Sequence, residues 1–264
     1  AWVEKVILYE GSIPPDWNHI IAISDPTDSN FHEYAQDFVL PLKDNNQTQV
    51  INDPIPDEIQ EIFRSSYTLL AYFGHGSIDL WGKDKILSIP MLSDLPKSPA
   101  PPVIISFSCL NGYFIHPQKI SLAEGLLFYP GGGAIGVFAP TGQSLMDDHQ
   151  KLLHFLQNKL QSNDHSRISN LIFHQEWEKF PENYSDLDIF KTYIFFGDPA
   201  MLFQNTPTGV SVNFFRAEKA ETGILLSWET AEETTLGGFN LYRREIPGSF
   251  VKLNSEMIYP KSGG

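Results

Sequence analysis

A histidine between two glycines, Gly74-His75-Gly76, closes the apolar run YTLLAYF, and the chain's single cysteine, Cys109, closes a second run, PVIISFS. A thiol acts as a nucleophile when it becomes a thiolate, and an imidazole is the side chain best suited near neutral pH to accept its proton and return one to a leaving group. Gly76, bare of a side chain, can turn its backbone N–H toward a developing oxyanion, and the Cys109 amide would supply a second donor. Each residue alone has a plainer reading. A lone cysteine at a strand end is most often an inert small hydrophobe, and a histidine in a tight turn is most often structural. The pairing of the two, each at the mouth of a buried strand, is what favours chemistry.

Such groups act together only if the chain delivers them to one place. Short β-rich runs (HIIAIS, TQVIN, YTLLAYF, PVIISFS, AIGVFA) alternate with segments of helical period (FHEYAQDFVLPL, PDEIQEIFRSS, SLAEGLLFY, DHQKLLHFLQNKL). This alternation predicts an α/β fold with a largely parallel sheet and helices on both faces. Functional groups in such sheets gather at the carboxyl ends of the strands, so His75 and Cys109 are expected at the same edge. From about Val210 the pattern changes to VSVNFF, ILLSWET, GFNLYRRE and FVKLN, with no helical period. That predicts a second, all-β unit with Trp228 in its core and about four strands, where an immunoglobulin- or fibronectin-like sandwich has roughly seven. The opening VEKVILYE reads as an amphipathic helix entered abruptly, and both ends read as cut from a longer protein.

Composition narrows the function classes. With 264 residues, 42% of them hydrophobic, the chain can bury a substantial core. A net charge of −14 and no basic cluster argue against nucleic acid or anionic lipid as partner. The longest apolar runs fall well short of the ~20 residues that span a bilayer, and one cysteine excludes an internal disulfide.

Five ordered blocks, LLAYFGHGSIDLWG, ISFSCLNGYF, SLAEGLL, GGAIGVFAPTGQS and IFFGDPAMLF, resemble the catalytic domain of the gingipain-type cysteine peptidases, relatives of caspases and legumain in clan CD. The likeness covers about residues 1 to 205. It implies a caspase-like three-layer sandwich over residues 18–205, preceded by the tail helix of an earlier subdomain and a linker (1–17). A partial immunoglobulin- or fibronectin-like β domain is expected to follow at 206–264. It further implies a bacterial, secreted or cell-surface thiol endopeptidase with His75 and Cys109 as dyad and the Gly76 and Cys109 amides as oxyanion hole. Histidine in this clan often stands too far from the sulfur for a tight ion pair, which shifts its role toward protonating the leaving amine. The implied partners are a protein or peptide substrate and further domains of the same longer chain. No cofactor is required, and a structural calcium is compatible, although no D-x-D-x-D-G loop is present.

Arginine-selective members use an acidic side chain near the first-strand loop and an aromatic lid in the stretch matching APTGQSL. Here the lid position is Leu145, and the nearby acids are Asp25 and Asp28, which makes these three the pocket candidates and a basic P1 residue the expected preference. The same DPTD stretch reads equally well as turn and helix-cap residues. Two alternatives stay open: a sortase-like transpeptidase using the same dyad, and a non-catalytic scaffold or binding module.

Other motifs carry less. GGGAIG satisfies a dinucleotide-binding spacing at Gly131, Gly133 and Gly136 but precedes a strand instead of opening a helix. His149 and His154, near Asp147 and Asp148, are five apart, on different faces of a helix, which points to a solvated helix start over a metal site. Asp198 reads as a turn or cap, and Glu124 as an acid tied to neighbouring backbone.

Overall fold

The computed structural model describes residues 2–11, 19–43, 47–65, 67–83, 85–98, 100–161, 167–172, 189, 191–203, 212–220, 223–230, 239–243 and 251–259. Two compact units divide the chain, residues 1–206 and 207–264.

In chain order the first unit contains α1 (Trp2–Gly11), β1 (His19–Ser24), α2 (Ser29–Val39), β2 (Gln47–Asn52), α3 (Pro56–Arg64) and β3 (Leu69–Phe73). Next come the short strands β4 (Gly76–Ser77), β5 (Leu80–Trp81) and β6 (Leu87–Ser88), then β7 (Val103–Phe107), α4 (Leu122–Phe128), β8 (Gly136–Pro140), α5 (Met146–Gln161), α6 (Ile168–Ile172) and β9 (Tyr193–Phe196). The main sheet has the order β2-β1-β3-β7-β8-β9, parallel except for β9. β4, β5 and β6 form a small antiparallel sheet of their own.

The apolar runs become strands because both faces of the sheet are covered, so every position of β3, β7 and β8 is buried. Alternate residues feed opposite layers. Ile20, Ala22, Leu69, Ala71, Phe73, Val103, Ile105 and Phe107 pack with Phe31, Phe38, Leu152 and Leu156 of α2 and α5. Ile21, Ile23, Leu70, Tyr72 and Ile104 pack with Ile59, Phe63, Leu122 and Leu126 of α3 and α4. The helical stretch FHEYAQDFVLPL does not run to its end: α2 stops at Val39 and Leu40–Leu42 tightens into a 3-10 turn at Pro41, which has no N–H to continue the ladder.

The chain runs from β1 outward to β2, then returns past β1 to β3. The strand order therefore reverses between β1 and β3 and opens a crevice at their carboxyl ends. α1 is tied to the same unit by Lys5, whose buried ammonium donates to the carbonyls of Leu127, Gly132, Ala134 and Tyr129 at 2.7, 2.8, 2.9 and 3.2 Å. These carbonyls lie at and beyond the end of α4, where helix carbonyls lack internal partners and a cation is favourable. Burial lowers the Lys5 pKa to about 8.

The second unit has four strands among its described residues: β10 (Val212–Ala220) pairs antiparallel with β11 (Gly223–Thr230), and the two-residue β12 (Tyr242–Arg243) with β13 (Val251–Lys252). Trp228 is half-buried, stacked on Phe215 and edge-on to Phe239. This agrees with an all-β reading at the level of antiparallel pairs. Residues 12–17 of the expected linker lie outside the described residues.

Candidate active site

Strands β3 and β7 are adjacent and parallel, with Phe73 opposite Phe107. The two phenylalanines stack at 4.5 Å with an interplanar angle of 9°. His75 and Cys109 each follow this matched pair by two residues, so both loops leave the sheet at the same carboxyl edge.

The His75 loop is fixed through its backbone. Gly74 N–H donates to Phe107 O at 3.1 Å and His75 N–H to Asp25 Oδ2 at 3.3 Å. The His75 carbonyl accepts from Tyr72 Oη at 2.7 Å and Gly82 N–H at 2.8 Å. Burial, and then the Asp25 carboxylate, push the Tyr72 phenol well above its ordinary range, so it remains a donor at neutral pH. The imidazole itself is exposed and meets Phe31 edge-on at 5.1 Å.

The Cys109 loop turns sharply: Leu110 adopts φ +61°, a left-handed conformation that a branched side chain occupies at a cost of about 1–2 kcal/mol. Flanking bonds hold it there, Leu110 N–H to Gly142 O at 3.0 Å and Gly112 N–H to Pro140 O at 2.8 Å. The Cys109 thiol, half-buried, donates to Ser144 O at 3.5 Å.

Two backbone N–H groups at the junction of the loops have no acceptor among the described residues. Gly82 N–H bonds His75 O, which makes the Gly76–Trp81 pair of the β4–β5 hairpin a non-hydrogen-bonded one, and the ladder leaves the Gly76 N–H unused. Among the described residues no acceptor takes up the Cys109 N–H. The two loops touch: a Cβ on Gly76 would stand 2.7 Å from Cys109 O.

A family profile described as Peptidase family C25 matches residues 1–204. The chain belongs to peptidase family C25. Solved structures agree at the level of fold. The Arg-specific cysteine proteinase gingipain R (RgpB) is 22% identical, with a TM-score of 0.61, covering 76% of this chain and 51% of that one. The complex of Porphyromonas gingivalis RgpB pro- and mature domains gives 21%, 0.59, 76% and 52%. A structure described as a protease gives 12%, 0.62, 83% and 55%. The C25 chain thus spans about half the length of these proteins. No curated protein sequence matches it.

In this C25 chain the three pocket candidates fall in different surroundings. Asp25 is 1% exposed: Oδ1 accepts from Thr27 N–H and Oγ at 2.9 and 2.6 Å, and Oδ2 accepts from His75 N–H. The enclosed carboxylate supports the His75 backbone. Asp28 caps α2, accepting from Asn30 N–H at 3.0 Å, and is exposed. Leu145 is 74% exposed. Glu124 completes a capping box with Ser121, and Asp198 accepts from Ala200 N–H in a turn. No cluster of three or more His, Cys, Asp or Glu among the described residues fits the calcium that the resemblance allows. The Asp147 side chain lies outside the described residues.

His149 has a role that a helix-start reading misses. It is 4% exposed, and its Nε2 lies 2.7 Å from Ser144 Oγ, which donates to Ser108 O at 2.9 Å. With that hydroxyl proton committed, His149 Nε2–H is the donor to Ser144, and Nδ1 has no partner among the described residues. Burial lowers its pKa to about 4, so the ring is neutral and packs edge-on against Phe107 and Tyr193. It steadies the segment whose Ser144 carbonyl meets the thiol.

Proposed function

We propose that this C25 chain is the catalytic part of a cysteine endopeptidase. Cys109 Sγ, as thiolate, attacks the scissile carbonyl carbon while the Gly76 and Cys109 amides receive the oxyanion. Collapse of the tetrahedral intermediate breaks the C–N bond, and His75 gives a proton to the departing amine. Water then attacks the thioester, His75 accepts its proton, and the carboxylic acid and thiolate are released. The observation that carries this reading is the register: His75 and Cys109 both stand two residues beyond the Phe73–Phe107 pair, with the Gly76 and Cys109 amides uncommitted among the described residues.

The proposed substrate is a peptide with a basic P1 residue. Support comes from the net charge of −14, the exposed Asp28 and the likeness to an Arg-specific proteinase; Asp25 is otherwise engaged. A secreted or cell-surface location, and an immunoglobulin-like fold for the second unit, are proposed from the family likeness. No described helix is long and apolar enough to cross a membrane.

The test is a panel of peptidyl amides differing at P1, with and without an added amine nucleophile. Free carboxylic acid product, fastest after Arg or Lys, is expected. A new amide as the main product moves the assignment to a transpeptidase, and turnover equal to that of Cys109→Ala would leave a scaffold.

A further inference from the structure

Between the His75 and Cys109 loops lies a buried polar group that the catalytic steps do not use. Asn111 is 1% exposed, and its carboxamide bridges the two loops. Nδ2 donates to Ser77 O at 2.6 Å and Leu80 O at 3.0 Å, the paired residues of the β4–β5 hairpin that carries Gly76. Oδ1 accepts on the β7 side from Ser106 Oγ at 2.8 Å and from Ser108 Oγ.

The hydrogens can all be placed. Trp81 Nε1–H donates to Ser106 Oγ at 3.1 Å, and the Ser106 and Ser108 hydroxyls, 2.9 Å apart, each give their one hydrogen to Asn111 Oδ1. The chain runs one way from Trp81 to the amide oxygen, and both Nδ2 hydrogens go to carbonyls. The reversed amide would face two carbonyl oxygens with a third, so the orientation is determined by its partners. A network buried and satisfied in this way holds its members rigidly.

We propose that Asn111 is the positioning residue that keeps the Gly76 amide aligned with the Cys109 amide as one oxyanion site. This rests on the peptidase reading above. The hairpin's own ladder is only two residue pairs long, and among the described residues no acceptor takes up the Gly76 amide it presents, so the two Asn111 bonds are what join it to the Cys109 side. An oxyanion donor displaced by a few tenths of an ångström loses much of its value in the transition state.

The test separates chemistry that needs an oxyanion site from chemistry that does not. In Asn111→Ala and Asn111→Asp, kcat for a peptide amide is expected to fall about 100-fold, with KM within about 3-fold of wild type. Alkylation of Cys109 by iodoacetamide, a displacement at saturated carbon that forms an S–C bond and expels iodide without an oxyanion, is expected within about 3-fold of wild type. Ser108→Ala, which keeps both Nδ2 bonds, should lose about 5- to 10-fold in kcat and serves if the first variants melt too low. Hydrogen exchange by mass spectrometry in residues 74–82 should rise in Asn111→Ala without a rise in α2 or α5. A kcat within about 5-fold of wild type, alkylation falling in step with kcat, or unchanged exchange in the hairpin overturns the proposal. Wild-type chain that alkylates but hydrolyses nothing overturns the peptidase reading instead, and the exchange experiment then decides the role of Asn111 by itself.

Discussion

Gly76→Ala adds one methyl group at the junction of the two loops. The backbone φ of Gly76 lies outside the left-handed region, so alanine carries no conformational penalty there and the effect is one of space. The new Cβ would stand 2.7 Å from Cys109 O, 2.9 Å from Asn111 Oδ1 and 2.9 Å from Ser108 Cβ. None is the free end of a flexible side chain: one is backbone, and the others belong to a buried, bonded network. Reaching the 3.4 Å of ordinary contact moves the hairpin about 0.7 Å away from Cys109. An N–H···O contact of about 2.9 Å would open to about 3.6 Å, beyond hydrogen-bonding range. The expected result is a loss of about 100-fold in kcat with a stability cost of about 1–3 kcal/mol. The assay is kcat and KM on a peptide amide beside calorimetric unfolding. Gly125→Ala is the control: its Cβ meets only the side-chain ends of Ile89 and Leu92, which can give way, and kcat should stay within about twofold. The reasoning is refuted if Gly76→Ala retains kcat within about fivefold of wild type, or if both variants lose activity equally.

Acid stability should report on His149. Its pKa is about 4 in the folded chain and near 6.5 when unfolded, so protons bind the unfolded state more tightly. Stability is complete above pH 6.5 and declines as pH falls toward 4, by about 3 kcal/mol in all. Urea unfolding between pH 7 and 4.5 should show that decline flattened in His149→Gln; parallel curves would sink the assignment. Asp25→Asn distinguishes support of His75 from a pocket role: expected are a stability loss of about 1–3 kcal/mol and a drop in kcat shared by all P1 residues. A rise in KM confined to Arg and Lys substrates would make Asp25 a pocket acid instead.

The central sheet was legible because alternation between strand-like and helix-like periods is local, and the edge to which His75 and Cys109 come follows from chain direction alone. The rest of the site depends on contacts distant in sequence. Asp25 could be seen as an acid near a loop, but its bond to His75 arises only once β1 and β3 pair across 50 positions. His149 looked like a helix-start residue because nothing in DDHQ reveals that the 141–145 segment folds back over it. Asn111 had a visible sign, hydroxyl residues at alternate positions in the otherwise apolar PVIISFS run. Buried polar groups of that kind need partners, and Ser106, Ser108 and Asn111 turn out to be one another's. The break of α2 at Pro41 was equally visible and follows from ring chemistry.

The most direct measurement is covalent capture of the thiol. A peptidyl acyloxymethyl ketone with a basic P1 residue should modify Cys109 in wild-type chain at one site by mass spectrometry. The account predicts labelling slowed strongly in His75→Ala and abolished in Cys109→Ala, with both variants folded by thermal melt. Labelling of wild type and His75→Ala at the same rate, or none of wild type with any P1 residue, would contradict it.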